Sequence, residues 1–184
     1  MARAMEKSGW TVVDVLGRHD AQDRAADGVD LLLIATPDRA VADTASVVAP
    51  VEETVVAHLS GVLGLEALAP HGRRASLHPL VSLPGDSAGA GPLFAGSWFA
   101  VSGDPLARRL VEDLGGRPVV VSPEDRAAYH AAAVIASNHL VALLGQAERI
   151  AESVGVPLEA FLELAAGSVD NVRRLGAAGA LPGP

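Results

Sequence analysis

Three apolar runs, each followed by a polar turn, organise the first third of the chain. They cover Trp10–Leu16, Asp30–Ala35 and Thr54–Leu59, and the stretches between them are rich in alanine and valine. Continuous apolar runs of this length are typical of strands that a parallel sheet buries on both faces. The pattern predicts an α/β fold with a doubly wound, mostly parallel sheet, in which ligands bind at the carboxyl ends of the strands.

Two further strands are predicted at 97–101 and 117–121. A helix over 104–114 lies between them, and the Gly115-Gly116 pair ends it. Before these elements comes a loop over 82–96 that is rich in glycine, proline, serine and alanine. Loops of this composition are either lids over a site or plain connections.

A long apolar helix is predicted in the last third of the chain. Residues 127–147 contain no charged Asp, Glu, Lys or Arg, and Ser122 and Pro123 are residue types that cap and begin helices. Polar side chains interrupt the apolar surface and no aromatic belt flanks it, which argues against a membrane span. We expect a buried helix that forms the spine of a helical domain or of a subunit interface, followed by helices at 157–166 and 170–175. The predicted domains are residues 1–121 and 122–184.

Composition narrows the class of protein. Fourteen basic and 22 acidic side chains give a net charge of −8, which excludes a phosphate-backbone surface because such surfaces need clustered lysine and arginine. The chain has no cysteine, so disulfides and thiolate chemistry are excluded. A cytoplasmic enzyme or binding protein acting on a small molecule fits best, with neither nucleic acid nor membrane as its partner.

The glycine-rich turn of dinucleotide-binding folds is absent. No GxGxxG occurs in the sequence, although such a turn supplies the backbone amides that hold a pyrophosphate. Residues 1–8 look like the last turns of the helix that normally follows this motif, with Gly9 in the stop position. We therefore expect the chain to begin inside the motif; the alternative is an ordinary surface helix.

Four short strings carry a resemblance to a known family: His58-Leu59-Ser60-Gly61, Ser76-Leu77-His78-Pro79-Leu80, Tyr129-His130-Ala131-Ala132-Ala133 and Ser137-Asn138-His139-Leu140. Together they resemble an uncharacterised bacterial family in which a Rossmann-like NAD(P) domain precedes a helical domain of unknown function. That family is similar to the 6-phosphogluconate-dehydrogenase-like group, beside prephenate dehydrogenases, ketopantoate reductases and pyrroline-carboxylate reductases. The chain departs from it in the missing glycine loop and in Pro182, where the family has threonine. The resemblance implies a fragment truncated at both ends.

Cofactor preference is predicted from the end of the first apolar run. Gly17 and Arg18 stand there without the acidic residue that binds the ribose of NAD, which favours NADP, with NAD as the alternative. Arg18 could equally be a solvated loop charge. By fold analogy, the nicotinamide half is flanked by Thr36, Pro37, Asp38, Ser60 and Gly61.

Histidine is the predicted acid/base. The resemblance implies a lysine on the long helix for hydroxyacid dehydrogenases, but the sole lysine is Lys7. Histidine titrates near neutral pH, and on a helix His130 shares a stripe with Ser137 and borders Asn138. His78 is a second candidate because a residue before proline is held extended. Packing alone explains either histidine about as well, and a metal site of His58, His71 and His78 is disfavoured, so no metal is predicted.

The predicted function is an NADP-dependent oxidoreductase acting on a small carbonyl, imine or hydroxy substrate. The alternatives are a non-catalytic dinucleotide-binding module and a helical dimerisation scaffold. The apolar helix favours a homodimer formed through the helical domain. Because the glycine loop is missing, little or no turnover is expected of residues 1–184 alone.

Overall fold

A computed structural model of the protein describes residues 1–82 and 94–180. The chain divides into two compact units, residues 1–131 and 132–184. The first unit contains a five-stranded sheet whose strands follow chain order: β1 Leu31–Ile34, β2 Val55–His58, β3 Arg73–Pro79, β4 Trp98–Gly103 and β5 Arg117–Val120. Its helices are α1 Ala2–Lys7, α2 Asp38–Val47, a 3-10 turn at Leu65–Leu68, and α3 Pro105–Asp113.

The sheet is mostly parallel. β1 pairs with β2, β2 with β3, and β4 with β5 in parallel, whereas β3 and β4 are antiparallel. Four of the five predicted strands are therefore confirmed, and so is the fold class. β3 is not among the predicted strands, although it contains most of the string Ser76–Leu80 that carries the family resemblance.

Strand β2 lies between two hydrophobic layers. Val55 and Ala57 face a cluster that includes Phe99 of β4 and Leu110 of α3, and Val56 faces a second cluster with Val41 of α2. Side chains alternate between the faces of a strand, so a strand covered on both sides must be apolar throughout. The three consecutive apolar residues Val55, Val56 and Ala57 have this cause.

Helix α3 follows its sequence signals closely. The Asp104 carboxylate accepts a hydrogen bond from the Leu106 amide at 2.9 Å, and Pro105 occupies the first turn. Gly115 ends the helix region with a φ of +73°, a left-handed conformation that glycine adopts without strain. The predicted helix over 104–114 is confirmed.

The predicted strand at Trp10–Leu16 is wrong. This segment has no regular secondary structure, and Val13 and Val15 are 73% and 71% exposed. It lies along an open groove of about 1270 Å³ whose other wall includes Leu31–Ile34 of β1. β1 is the edge strand of the sheet, but residues 10–16 line the groove beside it and form no ladder with it. An apolar run becomes a strand only when it forms such a ladder with a neighbour.

The long helix is continuous but contains a wider turn. α4 spans Arg126–Val134, a π-helical turn covers Ile135–His139, and α5 continues over Leu140–Ser153. Residues 122–125 form a turn in which the Asp125 amide donates to the Ser122 hydroxyl, and the helix begins at Arg126, after the predicted cap. The two short helices predicted beyond it are one, α6 Leu158–Gly179, with non-helical geometry at Gly176.

The described residues of this chain do not cover the long helix on every side, and the predicted subunit interface stays a prediction. Large apolar side chains on the helix, among them Ile135, Val141, Leu143 and Ile150, are 60–67% exposed. Within the described residues, Arg126–Ser153 is the one helix long and apolar enough to cross a membrane, a weak indication by length and composition alone. The predicted loop at 82–96 and the family-like end at 180–184 lie mostly outside the described residues.

Candidate active site

The carboxyl ends of three parallel strands place predicted site residues side by side. Ile34, His58 and Ser76 occupy one row of the sheet. Two positions further along each strand direction come Thr36, Ser60 and His78. This edge is where doubly wound sheets bind their ligands, so the fold brings these three candidates to the expected place.

His78 is joined there by two residues of α4. Its Nδ1 lies 2.6 Å from the Tyr129 hydroxyl, and the two rings meet edge to face with centroids 5.7 Å apart. The His130 ring centroid is 6.5 Å from that of His78. His130 Nδ1 is buried and has no hydrogen-bond partner among the described residues. The two predicted histidines therefore form one cluster.

The His78 and His130 rings both pack closely against the backbone of Gly61. A Cβ atom at this position would lie 2.8 Å from His78 Cε1 and 2.9 Å from both His78 Nε2 and His130 Nδ1. Contacts this short do not occur for real Cβ atoms, so any other residue would displace at least one ring. Glycine at position 61 thus allows the imidazoles to converge.

Arg126 ties α4 to the strands. Its guanidinium is buried and donates from Nη2 to the Ser76 hydroxyl at 2.6 Å and the Ser102 hydroxyl at 2.8 Å. Nη1 donates to the Ser60 carbonyl at 3.4 Å, and the two serine hydroxyls are 2.8 Å apart. These bonds join residues 24 to 66 positions apart in the chain and hold Tyr129 and His130, which follow on the same helix, against the strand ends.

Burial and positive charge set the protonation of the cluster. Burial lowers the pKa of His78, and His130 and Arg126 lower it further, while Asp38 opposes them. Burial raises the pKa of Tyr129, against the influence of Arg126. His78 is therefore neutral at pH 7 and Tyr129 carries its proton, which leaves the pair uncharged and hydrogen-bonded.

The other two buried histidines have structural contacts. His58 donates from Nε2 to the Gly64 carbonyl at 3.2 Å and accepts the Ser60 amide at Nδ1. Nε2 of His71 is 3.0 Å from the Ala45 carbonyl. In the described part of the chain, no group of three His, Cys, Asp or Glu side chains could hold a metal ion.

The cofactor side offers an unsatisfied hydroxyl and an open helix end. Thr36 Oγ1 is buried without a partner among residues 1–82 and 94–180. Pro37 precedes α2, whose first turn contains Asp38 and receives no side-chain cap. A polar group of a nicotinamide dinucleotide fits such a position, because a buried hydroxyl without a partner and free helix amides both need one. Gly17 and Arg18 lie in an exposed turn, where the Gly17 amide donates to Asp20 at 2.6 Å.

Ser137 and Asn138 are placed on the π-helical turn. They belong to the second compact unit, in which Ser137 is half-buried and Asn138 is exposed. The stripe that paired them with His130 assumed 3.6 residues per turn, and a π turn widens that spacing. Their catalytic roles stay predictions.

Sequence reasoning missed Arg126 as a site residue. Arg126, Tyr129 and His130 are related by steps of three and four, which put them on one helix face. That spacing was available as a signal. The serines that receive the guanidinium come from separate strands, and no local pattern indicates them.

Comparisons with known proteins agree with this architecture. Residues 99–184 match the family model of DUF2520, a domain of unknown function, which confirms the resemblance to an uncharacterised family with a Rossmann-like domain and a helical domain. A comparison with curated proteins gave no match.

Three solved structures illustrate the shared fold. Protein TM1727 from Thermotoga maritima is 32% identical with a TM-score of 0.69, over 83% of this chain and 62% of that one. BF3122 from Bacteroides fragilis, whose name proposes an NADP oxidoreductase, is 17% identical with a TM-score of 0.78, over 100% and 79%. Plasmodium falciparum pyrroline carboxylate reductase, solved with NADP bound, is 11% identical with a TM-score of 0.60, over 84% and 62%. The chain thus spans less than two thirds of TM1727, and it shares the Rossmann-like fold of these structures.

Proposed function

We propose that the protein is an NADP-dependent oxidoreductase that interconverts a small carbonyl or imine with its hydroxy or amine form. The observation that carries the proposal is the cluster of His78, Tyr129 and His130 at the carboxyl ends of β2 and β3. In doubly wound folds this edge holds the nicotinamide and the reacting atoms. When bound, NADPH supplies the hydride.

The cofactor would lie at the carboxyl ends of β1 and β2. Thr36, Pro37 and Asp38 on one side and Ser60 and Gly61 on the other would flank the nicotinamide half, and Gly17 with Arg18 would face the adenosine ribose. Arg18 favours NADP, since a guanidinium accommodates the 2′-phosphate. The NADP bound to the Plasmodium falciparum neighbour supports the same class of cofactor.

The histidines divide the proton chemistry between them. His130 gives or takes the proton at the substrate oxygen or nitrogen through Nδ1, the atom that has no partner among the described residues. His78 is neutral; in the tautomer whose Nδ1 accepts from the Tyr129 hydroxyl, its Nε2 carries a hydrogen that would orient the substrate. Arg126 holds α4 in place through its hydrogen bonds to Ser60, Ser76 and Ser102.

The test is a turnover assay of the intact protein with NADPH and a panel of small ketones, oxo acids and cyclic imines. For the best substrate, His130→Gln should lower kcat by about 10²- to 10⁴-fold with little change in NADPH affinity, because general acid/base catalysis contributes that much. His78→Gln should also lower kcat. The matched control is His19→Gln, which changes an exposed histidine and should leave kcat unchanged.

Two results would contradict the proposal. NADPH binding with no turnover of any carbonyl or imine would favour a non-catalytic dinucleotide-binding module. Equal losses of NADPH affinity and thermal stability in His130→Gln would make His130 a packing residue.

A homodimer in the cytoplasm is the state we propose for the protein. The exposed apolar side chains of the second unit, among them Val141, Leu143, Leu164 and Leu175, support association through the helices. Light scattering coupled to size-exclusion chromatography should show twice the monomer mass. A monomer at micromolar concentration would contradict the dimer.

A further inference from the structure

Arg126 is a buried cation without a carboxylate. Its residue is 5% exposed, and its hydrogen bonds go to two hydroxyls and one carbonyl, all of them uncharged. Among residues 1–82 and 94–180, the ion pairs within 4.0 Å involve five other arginines. Burying a charge without a counter-charge is costly, so this arrangement calls for an anion.

The groups that face the guanidinium do not provide one. Tyr129 and His78 are uncharged at pH 7, for the reasons given above, and His130 adds either no charge or a positive one. Glu66 raises the pKa of Arg126 and Asp38 raises that of His78 through charge alone, and neither carboxylate has a hydrogen bond or ion pair with the cluster among the described residues. The cluster is therefore locally positive in a chain whose net charge is −8.

The guanidinium also has hydrogen-bonding capacity left. Arginine carries five N–H donors. Three hydrogen bonds are made within the described residues and use both Nη2 hydrogens, which leaves the Nε hydrogen and one Nη1 hydrogen as donors for a ligand.

We propose that the site takes an anionic substrate, with a carboxylate beside the carbonyl or imine that reacts, and that Arg126 selects it. This inference rests on the proposed function. The carboxylate lies on the side of the Arg126 guanidinium, and the reacting carbon lies on the side of His78 and His130. A phosphate of the cofactor could supply the same negative charge, so the test separates the two sources.

The first arm measures binding without turnover. The intact protein with ¹⁵N-labelled histidine is titrated with acetate and with acetamide, its neutral analogue, in the presence and absence of NADP⁺. Acetate, but not acetamide, should shift the ring-nitrogen signals of His78 and His130, and saturating NADP⁺ should leave that shift in place. If NADP⁺ abolishes the shift, the anion at this site is a cofactor phosphate; if acetate and acetamide act alike, the anion site is refuted.

The second arm measures specificity. We expect kcat/KM for 2-oxo acids to exceed that for their methyl esters by about 100-fold, because hydrogen bonds to charged groups are worth about that factor. Arg126→Gln should remove this preference chiefly by raising KM for the acid, and Arg126→Lys should keep part of it. Equal kcat/KM for acid and ester in the wild-type protein would overturn the inference.

The two arms distinguish this inference from the proposed function. Acetate-specific shifts without turnover of any substrate would support the anion site and refute the oxidoreductase. Turnover of esters and acids alike, without acetate shifts, would support the oxidoreductase and refute the anion site. If Arg126→Gln does not fold, the acetate and acetamide titrations of the wild-type protein still decide the matter.

Discussion

The β3 side and the β1 side of the sheet differ in how firmly hydrogen bonds and packing hold their residues in place. Beside β3, hydrogen bonds of 2.6–2.8 Å join Arg126 with Ser76 and Ser102, and separately join His78 with Tyr129. Beside β1, residues 10–16 have no regular structure and border an open groove of about 1270 Å³. The first region can hold reacting groups in place, whereas the second presents an unpaired strand edge.

Catalysis and cofactor binding depend on different structural features of such a fold. Side-chain geometry at the β3 end depends on long-range hydrogen bonds and close packing, which preorganise a site. Pyrophosphate binding in such folds depends on a glycine turn and a helix end. The sequence contains no GxGxxG, so under the proposed function we expect residues 1–184 to hold the cofactor less firmly than the reacting groups.

The largest effect is expected from supplying the strand and turn. Adding an apolar strand and a GxGxxG turn before residue 1 should tighten NADPH binding by at least about 100-fold, since several amide contacts together are worth a few kcal/mol. Isothermal titration of both versions measures this gain. An extension of equal length with valine in place of the glycines is the control. Micromolar NADPH binding by residues 1–184 alone would show that the site does not need the turn.

A smaller effect, on the unfolding free energy, is expected from adding a side chain at Gly61 on the β3 side. Gly61→Ala places a Cβ within 2.9 Å of both imidazoles, and overpacking of this kind costs about 1–3 kcal/mol of unfolding free energy. Urea denaturation measures the cost. Gly72→Ala is the matched control, because a Cβ there meets nothing within 4 Å and the change should be neutral or stabilising. Equal effects at the two positions would mean that Gly61 does not support the histidines.

Acid should destabilise the protein through its buried histidines. Burial lowers the pKa of His58 and of His78 below the ordinary 6.5. The unfolded chain then binds more protons than the folded chain, so the stability present above about pH 6.5 is lost as the pH falls towards the folded pKa values. Urea titrations at a series of pH values measure this slope. His58→Gln should flatten it and His19→Gln should not; an unchanged slope in His58→Gln would contradict the assignment.

The smallest effect is expected on the open side. Trp10 donates from Nε1 to Asp113 at 3.0 Å in an exposed position. Trp10→Phe should lower the unfolding free energy by about 0.5 kcal/mol through loss of this bond, apart from any change in ring packing, because exposed hydrogen bonds are worth little. Comparing the effect of Trp10→Phe in the presence and absence of Asp113→Ala isolates the bond. A coupling above about 2 kcal/mol would show that this side is as firmly held as the other.

Local patterns correctly predicted the elements that pair or pack with neighbouring elements of the sheet. The apolar runs at Asp30–Ala35 and Thr54–Leu59 became β1 and β2, and the Asp104 cap and Gly115 stop bounded α3. The run at Trp10–Leu16 is also mostly apolar, but the pattern does not reveal whether a neighbouring strand is available. Strand formation depends on that neighbour as well as on the residues themselves.

The site was predicted in part for a similar reason. His78, His130, Ser60 and Gly61 were singled out by type and position, and the fold places them together. The role of Arg126 was missed because its partners Ser60 and Ser76 lie 66 and 50 residues away. The π-helical turn at Ile135–His139 was missed because its residues have no period that distinguishes them from an α-helix.

The central claim is that the reaction takes place at the His78, Tyr129 and His130 cluster. The most direct test is a crystal structure of the intact protein with NADP⁺ bound. The account predicts that the nicotinamide ring lies at the carboxyl ends of β1 and β2, against Gly61, with its reactive carbon facing His78 and His130. A nicotinamide bound at any other edge of the sheet, or turned away from both histidines, would contradict it.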